Sequence, residues 1–223
     1  MMSKNEVIEE LKSLGDKDSL EGMARFGIKF KECYGVRIPA LRKLAGKLKK
    51  DHKLAKELWL TGVHDALILA TMIADPKLMT EELMEKWVVD FYSWDICDQC
   101  CKNIFKDTGF AFKKAIEWTQ RPEEFVKRAG FVMMCEIAVH DKNARDEDFG
   151  EFFPIIIRES TDERNFVRKA VNWALRQIGK RNPSLRLKAL KVAYEILAID
   201  SRTSKWIASD AIRELEGYKF RKP

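Results

Sequence analysis

No stretch of this chain is apolar over the roughly 18 residues that a membrane span needs, and no glycine-rich phosphate loop of the G-x-G-x-x-G or G-K-[ST] kind occurs. The first absence argues against a membrane protein. The second argues against nucleotide-dependent chemistry, so no nucleotide cofactor is expected. Runs of alternating Val, Ile and Thr are missing too, which leaves nowhere to place β-strands. Proline and glycine are scarce, 6 and 11 of 223 residues, and with 46% hydrophobic and 34% charged residues the composition is globular rather than disordered or fibrous. Histidine is rarer still. His52, His64 and His140 stand far apart, and no Ser or Cys has a His at a spacing that would make a Ser-His or Cys-His nucleophile.

Cysteine is present without a framework. Cys33, Cys97, Cys100, Cys101 and Cys135 are odd in number, which implies reduced thiols. Cys97 and Cys100 form a C-x-x-C, but no second pair and no His at ligand spacing accompanies it, so no metal is expected. The opening MMSKNEVIEELKSLG is amphipathic and mixed in charge, unlike a secretory leader, and the protein is expected to be cytoplasmic. Its length fits one domain, expected over residues 1–223 and acting as a monomer.

What is there is helix. Apolar residues recur at helical spacing through 4–14, 19–26, 39–49, 52–61, 63–74, 80–92, 94–106, 110–119, 123–139, 146–158, 163–180, 184–198 and 201–215. Start signals stand at Thr80, Ser93, Pro122, Pro183-Ser184 and Ser201. A weak repeat sets the architecture. Phe125-Val-Lys-Arg-Ala129 is echoed by Phe166-Val-Arg-Lys-Ala170 at an offset of 41, and Trp206-Ile-Ala-Ser-Asp210 falls 40 further on, each on the second helix of a pair. That period belongs to HEAT or armadillo repeats, whose inner helices line a concave groove. The expected fold is therefore an all-α, HEAT-like helical repeat solenoid with a concave basic groove.

Charge is unevenly placed. The net charge is +6, and from Arg158 to Lys188 nine basic residues face three acidic ones, a surplus equal to that of the whole chain. Such a stretch suits a polyanionic partner.

Three constellations could carry chemistry. In the helix ERNFVRKAVNWALRQIGK, Val167, Ala170, Val171, Ala174 and Ile178 form a buried stripe, while Trp173 lies roughly opposite with Lys169, Arg176 and Lys180. Trp173 either packs on a neighbouring repeat or contacts a base or sugar flanked by phosphate ligands. At the start of another helix, Trp94 and Asp98 stand together at i and i+4, beside an apolar side made of Ile96, Cys97, Cys100, Cys101 and Ile104. Either this presents a ring beside a carboxylate, or Asp95 and Asp98 merely favour a helix N-terminus. Arg128 sits in a helix that is apolar nearly all round, where a cation needs a partner, either a carboxylate of an adjoining helix or a phosphate.

The segments YGVRIPALRKLA at 34–45, SWDICD at 93–98, FVKRAGF at 125–131 and FVRKAVNWALRQIGKRN at 166–182 resemble the AlkD-like DNA alkylation repair family, in the same order and over nearly the whole chain. The resemblance implies a HEAT-like repeat solenoid cradling duplex DNA that carries alkylated bases. It also implies hydrolysis of the N-glycosidic bond of cationic purines such as N3-methyladenine and N7-methylguanine, without a flipping pocket. By motif, Trp94 takes the place of the first aromatic, Asp98 of the catalytic carboxylate, Trp173 of the second aromatic and Arg128 of the phosphate contact. Lys127, Arg168, Lys169, Arg176 and Lys180 are expected on the DNA as well. Phe26, in Met23-Ala-Arg-Phe26, stands where family members tend to have Tyr, so it keeps a ring contact to DNA without a hydroxyl. No cofactor is implied. A non-catalytic DNA-binding solenoid and a protein-interaction scaffold remain the alternatives.

Overall fold

The computed structural model describes residues 2–220, and among them thirteen α-helices and no strand are found. None of these helices is long and apolar enough to cross a membrane. They group into two compact units that divide at Gly109 and Phe110.

Unit 1 holds α1 (Lys4–Ser13), α2 (Lys17–Arg25), α3 (Ile38–Leu48), α4 (His52–Trp59), α5 (His64–Ile73), α6 (Glu81–Val89) and α7 (Trp94–Asn103). Its helices start where short polar side chains can take the orphan N–H groups. Ser3 and Glu6 form a capping box, and Asp16, Asp51 and Thr80 accept from backbone N–H groups one turn on. At the centre is α5, packed on α3, α4 and α7 and buried at every position but Met72. The outer helices α4 and α6 meet through Trp59, whose ring stacks on Trp87 at 4.0 Å and whose indole N–H donates to Asp90 at 2.8 Å.

Unit 2 holds α8 (Ala111–Glu117), α9 (Glu124–His140), α10 (Phe152–Glu159), α11 (Asn165–Gly179), α12 (Pro183–Leu197) and α13 (Arg202–Gly217). The first two repeat echoes open α9 and α11 and the third begins one turn into α13, and the Phe125 and Phe166 ring centroids lie 5.5 Å apart. In α11, the five residues of the expected stripe are all fully buried. Close approach depends on glycine at two places. A Cβ on Gly130 would lie 2.8 Å from Thr119 Cγ2, and one on Gly179 would lie 2.7 Å from Leu215 Cδ2 and 3.0 Å from Ala189 Cβ.

The helix expected over 146–158 differs most. A 3-10 turn occupies Asp148–Glu151, and α10 begins only at Phe152. Pro154 explains the break, since a ring without an N–H is tolerated in the first helical turn but not further in. Asn182, one residue before the expected Pro183-Ser184 signal, caps α12 by accepting from Leu185 N–H at 2.9 Å.

Candidate functional site

In unit 1, Trp94 opens α7 and Asp98 follows one turn later, both half-buried. The side of α7 that they flank is apolar as expected, with Ile96, Cys97, Cys100, Cys101 and Ile104 fully buried. Its cysteines thus pack as small hydrophobes, and burial pushes the Cys100 and Cys101 thiols well up. The Trp94 indole N–H donates to the Phe26 carbonyl at 3.1 Å. Two residues singled out 68 positions apart are therefore brought together. Phe26 itself follows α2 with 74% of its surface exposed, so its ring is open to a ligand.

The start of α7 is held from below by contacts that the sequence did not reveal. Ser93 occupies the N-cap position, yet its hydroxyl donates to Asp95 at 2.6 Å instead of capping the backbone. The other Asp95 oxygen meets Nε2 of the fully buried His64 at 2.7 Å. His64 Nδ1 lies 3.2 Å from the Tyr92 hydroxyl. Burial works against the Asp95 charge, but hydrogen bonds from His64, Ser93 and the Ile96 N–H together hold its carboxyl below the usual range. For Tyr92, burial and then the Asp95 charge push the phenol up. Next along α5, Asp65 accepts from the Tyr34 and Val36 N–H groups at 2.6 and 2.7 Å. Burial, helped by that carboxylate, raises the Cys33 thiol to about 12. A lone histidine in an apolar helix gave no cue that its partner lay 31 residues away.

In unit 2, Arg128 is buried, and its guanidinium donates from Nη1 to the Phe166 carbonyl at 2.7 Å. One partner is thus a backbone oxygen of α11. Trp173 is half-buried on α11.

The cations expected around Trp173 divide into two sets. Along α11, residues 168, 172, 176 and 180 face residues 206, 210, 214 and 218 of α13 and the residue after it, always 38 apart. The Arg168 guanidinium stands over the Trp206 ring at 5.2 Å, and Asn172 donates to Asp210 at 2.7 Å. Arg176 donates to Glu214, and Lys180 lies 6.0 Å from the Tyr218 ring while donating to Glu214 at 2.6 Å. A constant offset over four rungs means that α11 and α13 run parallel in fixed register. Burial opposes the Glu214 charge, but Lys180 and Arg176 outweigh it and lower its pKa.

Arg176 and Lys180 therefore tie helices together. Lys127 does likewise, with Nζ 2.5 Å from Glu159 and 3.7 Å from Asp162 at 13% side-chain exposure. More of the basic stretch is held the same way. Arg158 and Arg164 pair with Glu159 and Asp162, and Arg181 donates to the Ala138 and Ala144 carbonyls. Lys169 is exposed and has no carboxylate within ion-pair distance among the described residues, and Arg168 meets only Asn165 and Trp206. The surplus charge is real, but most of it is not bare.

The all-helical architecture of the described residues is that of a HEAT-like repeat protein of the glycosylase fold. A solved structure described as a new family of proteins related to the HEAT-like repeat DNA glycosylases, with affinity for branched DNA structures, matches it at a TM-score of 0.80. That match covers 98% of this chain and 97% of the other at 23% identity. The family model for the DNA alkylation repair enzyme matches residues 7–215, and the chain belongs to that family. An uncharacterized protein of Listeria innocua serovar 6a is 26% identical over 204 residues, which are 88% of this chain and 87% of that protein.

Proposed function

We propose that this protein is a DNA glycosylase that releases positively charged alkylated purines from duplex DNA. The observation that carries the reading is the pairing of Trp94 with Asp98 on one edge of α7. The helix start that presents them is held by buried hydrogen bonds.

The chemistry asks little of the protein. When a purine is alkylated at a ring nitrogen, the C1′–N bond breaks with its electron pair going to the base, which leaves neutral and needs no general acid. Positive charge then builds on the sugar. A carboxylate such as Asp98 stabilises it and orients the water whose oxygen bonds to C1′, and that water's proton is released to the carboxylate or to solvent. The Trp94 and Trp173 indole faces attract a cationic base or sugar. Phe26, beside Trp94, and Arg128, Lys127, Arg168, Lys169, Arg176 and Lys180 are the DNA contacts of this reading. Of these, the exposed Phe26 and Lys169 are the most accessible.

The test is release of N7-methylguanine from duplex DNA under single-turnover conditions. Wild type is expected to release the base, and Asp98→Asn to release none while DNA affinity is little changed. No release by wild type with DNA binding intact would overturn the reading in favour of a second one, a DNA-binding repeat protein without excision. Two observations favour that second reading: the solved relative described by its affinity for branched DNA, and Phe26 in place of a tyrosine.

A further inference from the structure

Of the four rungs between α11 and α13, three reach a carboxylate of α13 and one does not, although Asn172 Oδ1 and Arg176 Nε, like Arg168 Nε, are buried without a hydrogen-bond partner. Asn172, Arg176 and Lys180 each reach a carboxylate of α13. The first rung, Arg168 and Trp206, has none. Arg168 Nε is buried with no hydrogen-bond acceptor, and Nη2 has only the neutral Asn165 side chain at 3.2 Å. Trp206 keeps 40% of its surface exposed even with the guanidinium over its ring, whereas tryptophans are normally well buried.

The surroundings point to an anion that brings its own flat partner. Arg168 and Trp206 lie near the N-terminal ends of α11 and α13, which are parallel, so two positive helix ends share this edge; α11 has no side-chain cap, whereas Ser201 takes the Ser204 N–H of α13. Lys169 and Arg202 stand exposed there without carboxylate partners among the described residues. The partner of Lys205 is Asp200, whose side chain is fully exposed. Further along the same helices Asp210 and Glu214 would repel phosphate, so the favourable edge is confined to this end.

We propose that Trp206, with Arg168, is a second DNA contact that stacks one unpaired base while Lys169, Arg202 and the helix ends hold its flanking phosphates. In an intact duplex both faces of every base are already stacked. Only a single-stranded gap, flap or branch point offers a free face to an indole, and such stacking is tolerant of sequence. The contact rests on the DNA-binding part of the proposed function but not on base excision.

The experiment is a titration of labelled DNA with the full chain, comparing a blunt duplex with the same duplex carrying a short single-stranded gap. Wild type should prefer the gapped DNA. Trp206→Ala should lose about tenfold in affinity for it, with the duplex little affected, and Trp206→Phe should recover part of the loss. If wild type binds both DNAs and Trp206→Ala binds them equally well, the stacking contact is wrong and the function stands. An equal loss on both DNAs likewise overturns the unpaired base as its ligand. If wild type binds neither, the DNA reading itself falls and this contact with it. Should Trp206→Ala instead abolish a concentration-dependent self-association while leaving DNA binding intact, the exposed ring belongs to a second copy of the chain, and the proposal is overturned.

Discussion

The two units solve the same problem with opposite materials. Each must hold parallel inner helices together, α5 and α7 in unit 1, α11 and α13 in unit 2. Residues 1–109 carry 18 basic and 18 acidic residues, whereas residues 110–223 carry 23 and 17, so the entire surplus of +6 lies in unit 2. Unit 1 ties its helices through a buried cluster of His64, Asp95, Ser93 and Tyr92. Unit 2 uses half-exposed cations against Asp210 and Glu214. A basic residue count therefore overstates the charge available to a polyanion, because part of it is spent on the scaffold. In unit 1 the fixed edge carries the residues proposed for chemistry. In unit 2 the first rung, which reaches no carboxylate, carries the contact proposed for an unpaired base.

The sharpest way to break this contrast is His64→Ala. The fully buried imidazole would leave a cavity and strand the Asp95 carboxylate, which should lower the unfolding free energy by about 3 kcal/mol or more. Hydrogen exchange should rise in α5 and α7 and stay nearly unchanged in α11 and α13. The folded-state pKa of Asp95 is depressed, so its contribution is present above an unfolded value of about 4 and lost as pH falls through the folded one. The gap between wild type and His64→Ala should accordingly narrow on acidification below that point. A uniform loss of protection across both units would show that the cluster is not local to unit 1.

How much of this was readable beforehand follows from the range over which each signal acts. Helices came through because a period of 3.6 is written in neighbouring residues. The stripe of Val167, Ala170, Val171, Ala174 and Ile178 is buried as read. The AlkD-like segments placed the family and the fold. The fate of Arg176 and Lys180 was not readable in the same way. Seen on α11 alone they flank Trp173 like phosphate ligands, and only the register with α13 shows Glu214 opposite them. The same holds for Lys127 and its tie to Glu159, and for His64, whose role depends on an aspartate two helices further on. The short-range pattern that failed is the one around Pro154, where a continuous apolar period hid a break in the helix.

A smaller effect is expected from Gly179→Val in unit 2. Its side chain would meet Leu215 and Ala189, both fully buried and without room to yield, at a cost of about 2 kcal/mol. Because Gly179 ends α11 beside the fourth rung, exchange should increase at the C-terminal ends of α11 and α13 first. Equal loosening at Arg168 and Trp206 would mean that the rungs form one cooperative unit and not four separate ties.

The smallest change in stability should come with the most informative change in binding. Glu214→Gln keeps the shape of the side chain but frees Arg176 and Lys180 from its charge, at a cost of about 1 kcal/mol because all three are partly exposed. The folded pKa of Glu214 is lowered, so that stabilisation is present above the unfolded carboxyl value, about 4.3, and fades as pH drops below it. Lys180, released, and Arg176, left with Asp210 alone, should then be better able to meet phosphate on the face that also bears Trp173. Affinity for duplex DNA should rise as stability falls, and the slope of log affinity against log salt should steepen by about one for each new phosphate contact. A steeper slope would show that scaffold and DNA compete for the same charges. An unchanged slope would mean that Arg176 and Lys180 serve the fold alone, leaving Arg168 and Lys169 as the cations of α11 that meet DNA.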